Sequence, residues 1–455
     1  MKQKKALDMT TGPFLKKIMK FSVPLMITGL LQLIYNSADT AIVGNFAGSE
    51  ALAAVGSTGS LINLIINIFM GLSMGAGVMA ARYIGADDKK RIEKCVHTSM
   101  AMSLICGIIV AAIGFFFSGT FLKLMNVPDE VLSLSTVYLQ IYFLGAPGSL
   151  VFNFGASLLR ASGETKKPLY ILFASGIVNV ILNLILVIPF KMSVSGVAIA
   201  TIVSQYMTAV IVVYHLLKTS SVLRMDPKKL RINKRELVCI MRIGIPAGLQ
   251  NSLFSISNVI IQSAVNSFGD VAMAGIAAGS QFDSYIYTCT NAISQTAMTF
   301  SSQNLGAAKY KNIGKVYRYC LAITIIIGAV MSVFGYVFRE EVVWLFAKES
   351  DVIAIGAQRL ALIMPFYVFC SLQDMTGGQI RGMGRSLEPM IISLVGACGV
   401  RLLWIFVILP DNYSLIDLYW AYPISWAVTF FALLGFYIIV KTKMIKESKK
   451  TVVTE

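Results

Sequence analysis

Three carboxylates stand where carboxylates are rare: Asp39, Asp283 and Asp374 each fall inside a long apolar run, alone among the chain's 23 acidic residues. A carboxylate at the centre of a bilayer costs at least ~2.5 kcal/mol on insertion scales, so such a group usually faces a cavity and has a function there. Burial favours its neutral form, which would let it take up and release a proton in a transport cycle. Around Asp39 stand Gln32, Tyr35, Asn36, Ser37 and Thr40. The stretch from Leu31 to Thr40 makes under three helical turns, so several of these polar groups share a face. Asn179 and Asn183 are spaced i, i+4 and point the same way from one helix. The next helix offers Thr201. One carboxylate, two carboxamides and a hydroxyl could hold a hard cation through oxygen, or stabilise a protonation switch. Interhelical hydrogen bonding as packing glue accounts for the same spacing equally well.

The second half of the chain offers different chemistry. Asp283 lies about 12 residues from the outer end of its helix, roughly 18 Å at 1.5 Å per residue. Arg401 sits at a similar depth, ahead of Pro410. A buried arginine needs a partner, so an Asp283–Arg401 pair is expected, either structural or functional. Asp374, close before Arg381, reads as a solvated or locking carboxylate near the inner end of its helix. Gln250 and Asn251 join Gln32, Tyr35, Asn36, Asp283 and Arg401 as candidates for lining a substrate cleft. Pro24, Pro147, Pro246 and Pro365 fall within expected spans, where each removes a backbone hydrogen bond and permits a bend.

The elements that must carry these residues are membrane helices. The chain has 455 residues, of which 56% are hydrophobic and only 14% charged, with a mean hydropathy of +0.72. Soluble domains are roughly a quarter charged, so a water-exposed surface cannot be covered. Apolar blocks, many about 20 residues or longer and thus able to span a bilayer, lie near 18–43, 53–80, 95–117, 132–157, 169–190 and 195–217. A second set lies near 240–266, 272–300, 316–338, 353–379, 389–409 and 415–440. The class is all-α integral membrane, with about twelve transmembrane helices in two six-helix lobes. The lobes span 1–217 and 243–441, joined by a basic linker at 218–242 and followed by a tail at 442–455. The basic N-terminus (Lys2, Lys4, Lys5, Lys16, Lys17, Lys20) leads into a long span that carries Asp39 and no convincing cleavage site, so it reads as a retained first helix rather than a signal peptide.

Charge placement orients this layout. With the N-terminus inside, 33 of the 39 lysines and arginines fall in inner segments. The outer loops hold Lys123, Lys191, Arg339 and Lys348, and Arg359 and Arg401 lie within helices. Basic short loops mark the cytoplasmic side, so both termini are expected in the cytoplasm of a cell membrane. The +16 net charge then faces the inner leaflet and calls for no nucleic acid. The halves also repeat at a constant shift of 221 residues: Arg160 meets Arg381, Gly163 meets Gly384, Pro168 meets Pro389 and Pro189 meets Pro410. Six spans per half give both copies one orientation, related by a pseudo-two-fold axis along the membrane normal. Paired halves around a midplane site are the architecture of a carrier.

Other classes find little support. Cys95, Cys106, Cys239, Cys289, Cys320, Cys370 and Cys398 are scattered, without Cys-x-x-Cys spacing, and read as apolar fillers. His97 and His215 lie near helix ends with no metal-ligand spacing. No metal site, no cofactor and no enzymatic nucleophile–base set is expected.

At these residues the chain resembles the multidrug and toxic compound extrusion (MATE) family over about 420 residues. The run Pro24…Gln32…Asn36-Ser37-Ala38-Asp39-Thr40…Gly44 resembles the family's opening motif, and Gln303-Asn304-Leu305-Gly306-Ala307 its Gln-Asn-x-Gly-Ala. Leu159-Arg160-Ala161-Ser162-Gly163 and Ile380-Arg381-Gly382-Met383-Gly384 resemble its paired Arg-Gly loops. The resemblance implies two six-helix lobes around a central cleft, a monomer, and a bacterial exporter of lipophilic or cationic organic compounds driven by proton or sodium antiport. It gives Asp39 the ion-coupling role, with Asn179 and Thr201 as neighbouring polar positions. Asn183 stands where many bacterial members carry a second aspartate, which favours protons over tightly bound sodium. The acid some members carry in the seventh helix is replaced by Gln250, Asn251 and Gln262 as polar residues. The rival within the superfamily is a lipid-linked sugar flippase, whose cationic cavity would need more intramembrane charge than Arg359 and Arg401 supply.

Overall fold

A computed structural model describes residues 7–125, 127–409 and 413–453. Lys2, Lys4, Lys5, Pro410 and the last two residues of the tail lie outside the described residues, which contain helices and no strand. The long helices follow the apolar blocks. They are α1 (Phe14–Phe46), α2 (Ser49–Gly85), α3 (Lys89–Leu124), α4 (Asp129–Leu144 and Ala146–Ala161, bent by 45° at Gly145), α5 (Lys166–Val187) and α6 (Ser193–Lys218). In the second half come α7 (Lys234–Asn266), α8 (Asp270–Gly306), α9 (Tyr310–Val337), α10 (Ser350–Gly382), α11 (Leu387–Ile408) and α12 (Leu415–Lys446). Ten are long and apolar enough to cross a bilayer, or eleven with the bent α4 as one span. The polar α8 is 37 residues long and carries Asp283, Asn291, Ser294 and Gln295.

The repeat is written in the backbone. Four of the five glycines with positive φ among the described residues form pairs 221 residues apart: Gly48 (91°) with Gly269 (90°), and Gly163 (88°) with Gly384 (84°). Asp87 and Ala308 form a third such pair at 51° and 54°, each entering the left-handed region just after the Gly-Ala that closes a long helix. Left-handed geometry is costly for any residue with a Cβ, so its recurrence in register marks two copies of one backbone plan.

Two compact units result, and their bounds differ from the 217/243 division expected from the linker. One unit comprises Ile27–Gly248 with residues 7–8; the other comprises Met9–Met26 with residues 249–453. Helix α1 therefore changes unit just after Pro24, and α7 just after Pro246. The reason is visible on α7. Gly244 and Gly248 meet α2 so closely that a Cβ at Gly244 would lie 2.6 Å from Leu72 Cα, and one at Gly248 2.6 Å from the Ile68 carbonyl oxygen. Small residues at i, i+4 allow this backbone approach, the usual way membrane helices gain packing.

The linker is likewise part of the first unit. His97 Nδ1 donates to the Glu93 carbonyl at 2.7 Å, leaving Nε2 to accept from the Asp226 amide at 3.0 Å. The Asn233 amide donates to Thr98 Oγ1, and Lys229 pairs with Glu93. At the start of α7, buried Glu236 accepts from Tyr83 at 2.6 Å and from Arg91 at 3.2 Å.

Candidate functional site

The first unit gathers part of the expected set. Asn183 on α5 is fully buried and its Nδ2 donates to Asp39 Oδ1 on α1 at 2.5 Å. The same nitrogen lies 3.4 Å from Asn179 Oδ1, one turn back on α5. Asn183 Oδ1 is buried with no hydrogen-bond partner among the described residues. No lysine, arginine or histidine among them lies within ion-pair distance of Asp39. Thr201 is not hydrogen-bonded to this group; its hydroxyl donates to Val197 O in its own helix at 2.9 Å.

Tyr35 holds α1 on α5. Its hydroxyl donates to the Phe173 carbonyl at 3.2 Å, and its ring occupies the space a Cβ at Gly176 would fill. Gln32 and Asn36 are exposed, and the Asn36 carbonyl accepts from Thr40 at 2.9 Å. Sequence reading did not single out Tyr138 and Tyr142 of α4, which pack in one cluster with Ile42 and Val43 of α1 and Val180 and Val187 of α5, the neighbours of Asp39, Asn179 and Asn183. The i, i+4 spacing of the two tyrosines and their place in an apolar run offered a signal, weak among so many tyrosines.

The second unit is built on arginine. Asp283 on α8 pairs with Arg359 on α10, Oδ2 to Nη2 at 2.6 Å, and this corrects the expected Asp283–Arg401 pair. Depth alone suggested Arg401; the facing direction of α10 decides for Arg359, and Tyr367 of the same helix donates to the Asp283 carbonyl at 2.9 Å. Asp374 is half-buried and faces Arg381, as a locking carboxylate would. It accepts from Asn291 at 3.1 Å and lies 3.9 Å from Arg381, while its carbonyl accepts from Ser294. Arg401 on α11 donates from Nε to Ser425 Oγ and from Nη1 to Asn258 Oδ1, both at 3.1 Å, and lies 4.5 Å above the Tyr422 ring. Gln250 is buried with Oε1 unpartnered among the described residues, and Asn251 is half-buried. Among those residues no cluster of three His, Cys, Asp or Glu could hold a metal.

Two copies of one helical plan, each enclosing ionisable groups among its spans, define a polytopic membrane transporter. The MatE family model matches residues 24–185 and again 246–407, one copy per half. The chain belongs to the MatE family, and is a MATE family efflux transporter. Among curated relatives, a probable multidrug resistance protein of Bacillus subtilis, YoeA, is 28% identical over 427 residues, covering 92% of each chain. The multidrug export protein MepA of Staphylococcus aureus is 24% identical over 436 residues, covering 93% of this chain and 94% of that one. Among solved structures, a multidrug resistance MATE family transporter of the MOP superfamily in an outward-facing conformation superposes with a TM-score of 0.90. It is 22% identical and covers 98% of this chain and 100% of that one, a likeness that establishes the two-lobe fold.

Proposed function

We propose that the chain is a secondary antiporter of the cell membrane, with both termini cytoplasmic, that exports lipophilic or cationic organic compounds in exchange for protons. The observation that carries this reading is the bonding of Asp39. Its only hydrogen-bonded partner among the described residues is a carboxamide. A carboxamide donates to the ionised acid and can equally accept from the protonated one through its oxygen, and Asn183 Oδ1 is unpartnered. The site can therefore change charge without leaving a buried cation behind. Asp283 cannot, because its protonation would strand Arg359.

The names of the bacterial relatives support drug-like substrates, and the abundance of Phe, Tyr and Met suits flat or cationic molecules. A lipid-linked sugar flippase would need several free intramembrane cations, and Arg359 is neutralised by Asp283. The test is efflux of a fluorescent lipophilic cation from cells lacking other pumps, with and without a protonophore. Wild type should export it in a protonophore-sensitive way, and Asp39→Asn at equal expression should lose at least tenfold in rate. Efflux that survives in the mutant removes Asp39 from coupling.

A further inference from the structure

We propose that Arg401 is a carboxylate-binding group for substrate: it receives the carboxylate of a zwitterionic or anionic aromatic compound within the second unit. This rests on the reading of the chain as an exporter of organic compounds and names a residue that recognises the substrate. The starting point is an imbalance of charge. Arg401 is buried (6% exposed) in a membrane helix, where a cation requires compensation. Arg359 has Asp283 and Arg381 has Asp374, yet no carboxylate among the described residues lies within 4.0 Å of Arg401. Its partners are a serine hydroxyl, a carboxamide oxygen and the face of Tyr422. These orient the guanidinium without neutralising it.

The orientation leaves part of the group free. Nε is taken by Ser425 and one donor of Nη1 by Asn258, while Nη2 makes no hydrogen bond among the described residues. One Nη1 donor and both Nη2 donors remain to meet a carboxylate, the anion that guanidinium groups bind most strongly. Asn258 is exposed and Tyr422 half-buried, so the group is open on that side.

The repeat gives the location meaning. Shifted by 221 residues, Asn258 falls on Ser37 and Arg401 on Val180, each within two or three residues of Asp39, Asn179 and Asn183. In one unit α1 supplies an acid and α5 the amides; in the other α7 supplies an amide and α11 a base. Helix α11 also departs from α-geometry on both sides of Arg401, with π-helical stretches at Leu394–Gly399 and Trp404–Ile408. Such stretches are rare and cluster at functional sites.

The experiment uses two dyes that differ by one carboxylate: tetramethylrhodamine, a zwitterion, and its methyl ester, a cation. Binding to purified full-length protein in lipid nanodiscs is followed by fluorescence anisotropy, for wild type, Arg401→Gln and Arg401→Lys, in chloride and in methanesulfonate. The acid should bind wild type about tenfold more tightly than Arg401→Gln, the ester should be unchanged, and Arg401→Lys should restore part of the difference. Equal losses for both dyes would make Arg401 a packing residue, and no loss for either would remove it from recognition. Wild-type affinity for the acid that rises severalfold when methanesulfonate replaces chloride would make the occupant an inorganic anion. Each of these overturns the proposal, as does an acid that does not bind wild type at all. Because binding is read without transport, failure of the efflux assay above remains a separate result.

Discussion

The two units carry the same backbone plan and opposite electrostatics. In the first, Asp39 accepts from the Asn183 carboxamide of α5, which also reaches Asn179, and has no arginine within reach among the described residues. In the second, Asp283 and Asp374 each face an arginine, at 2.6 and 3.9 Å. An acid among amides can be charged or neutral without stranding a partner. An acid opposite a buried guanidinium is held in its charged form, because neutralising it leaves a cation in low dielectric. The repeat thus supplied two copies of one backbone but not of one acid: in the 221-residue register Asp39 falls on Ile260, Asp283 on Ile62 and Asp374 on Asn153, and the side chains divide between an acid that can switch and acids that hold.

The largest expected effect separates these roles by stability. Asp283→Asn strands Arg359, and removing one member of a buried pair costs about 3–5 kcal/mol. The variant should show a much lower melting temperature in detergent and a reduced folded yield, and Asp283→Asn combined with Arg359→Gln should recover most of both. Asp39→Asn removes no such counter-charge, so it should melt close to wild type while failing to export. If the two single variants are destabilised alike, the distinction between switching and holding acids is wrong.

A smaller and sharper effect concerns ion choice. Asn183 touches Asp39 directly and is fully buried, so Asn183→Asp would put two carboxylates in one enclosure. Like charges at that distance do not both stay ionised unless a cation joins them, and oxygen ligands suit a hard cation. Sodium should therefore stabilise Asn183→Asp against heat and stimulate its efflux several-fold, with little effect on wild type. A wild type stabilised equally by sodium would show that the carboxamide does not set the preference for protons.

Much of this could be read along the chain because membranes simplify the problem. Span length, loop charge and the 221-residue register are one-dimensional signals, and each expected span has its helix. Asp39 and Asn183 were legible for a related reason, since any carboxylate in a span is exceptional and i, i+4 fixes direction along one helix. The partner of Asp283 was not, because depth leaves the rotation of each helix about its axis open, and that rotation chose Arg359 over Arg401. Tyr138 and Tyr142 were hidden by abundance among 18 tyrosines. The change of unit within α1 and α7 was hidden as well. Pro24 and Pro246 mark a permitted bend, but only the glycine crossing of α2 with α7 shows which side each half-helix takes.

The linker completes the contrast, since composition makes residues 218–242 look like a solvated basic tether and hydrogen bonding makes them part of the first unit. His97 is the clearest fastening. Its ring is buried, with Nδ1 donating to Glu93 O and Nε2 left to accept from the Asp226 amide across 129 positions of sequence. Replacing it with alanine removes two hydrogen bonds, each worth about 1 kcal/mol net, of which only one reaches the linker, and leaves the Asp226 amide to water. The fold should survive, because Thr98–Asn233 and Tyr83–Glu236–Arg91 still hold the same stretch. The segment from Asp226 to Asn233 should open more often. Lys228, Lys229 and Arg231 are exposed within it, so limited trypsin digestion should cut His97→Ala there several-fold faster than wild type, with the melting temperature nearly unchanged. Equal cleavage rates would mean that the segment is held by its two ends alone, and that the buried histidine serves packing rather than fastening.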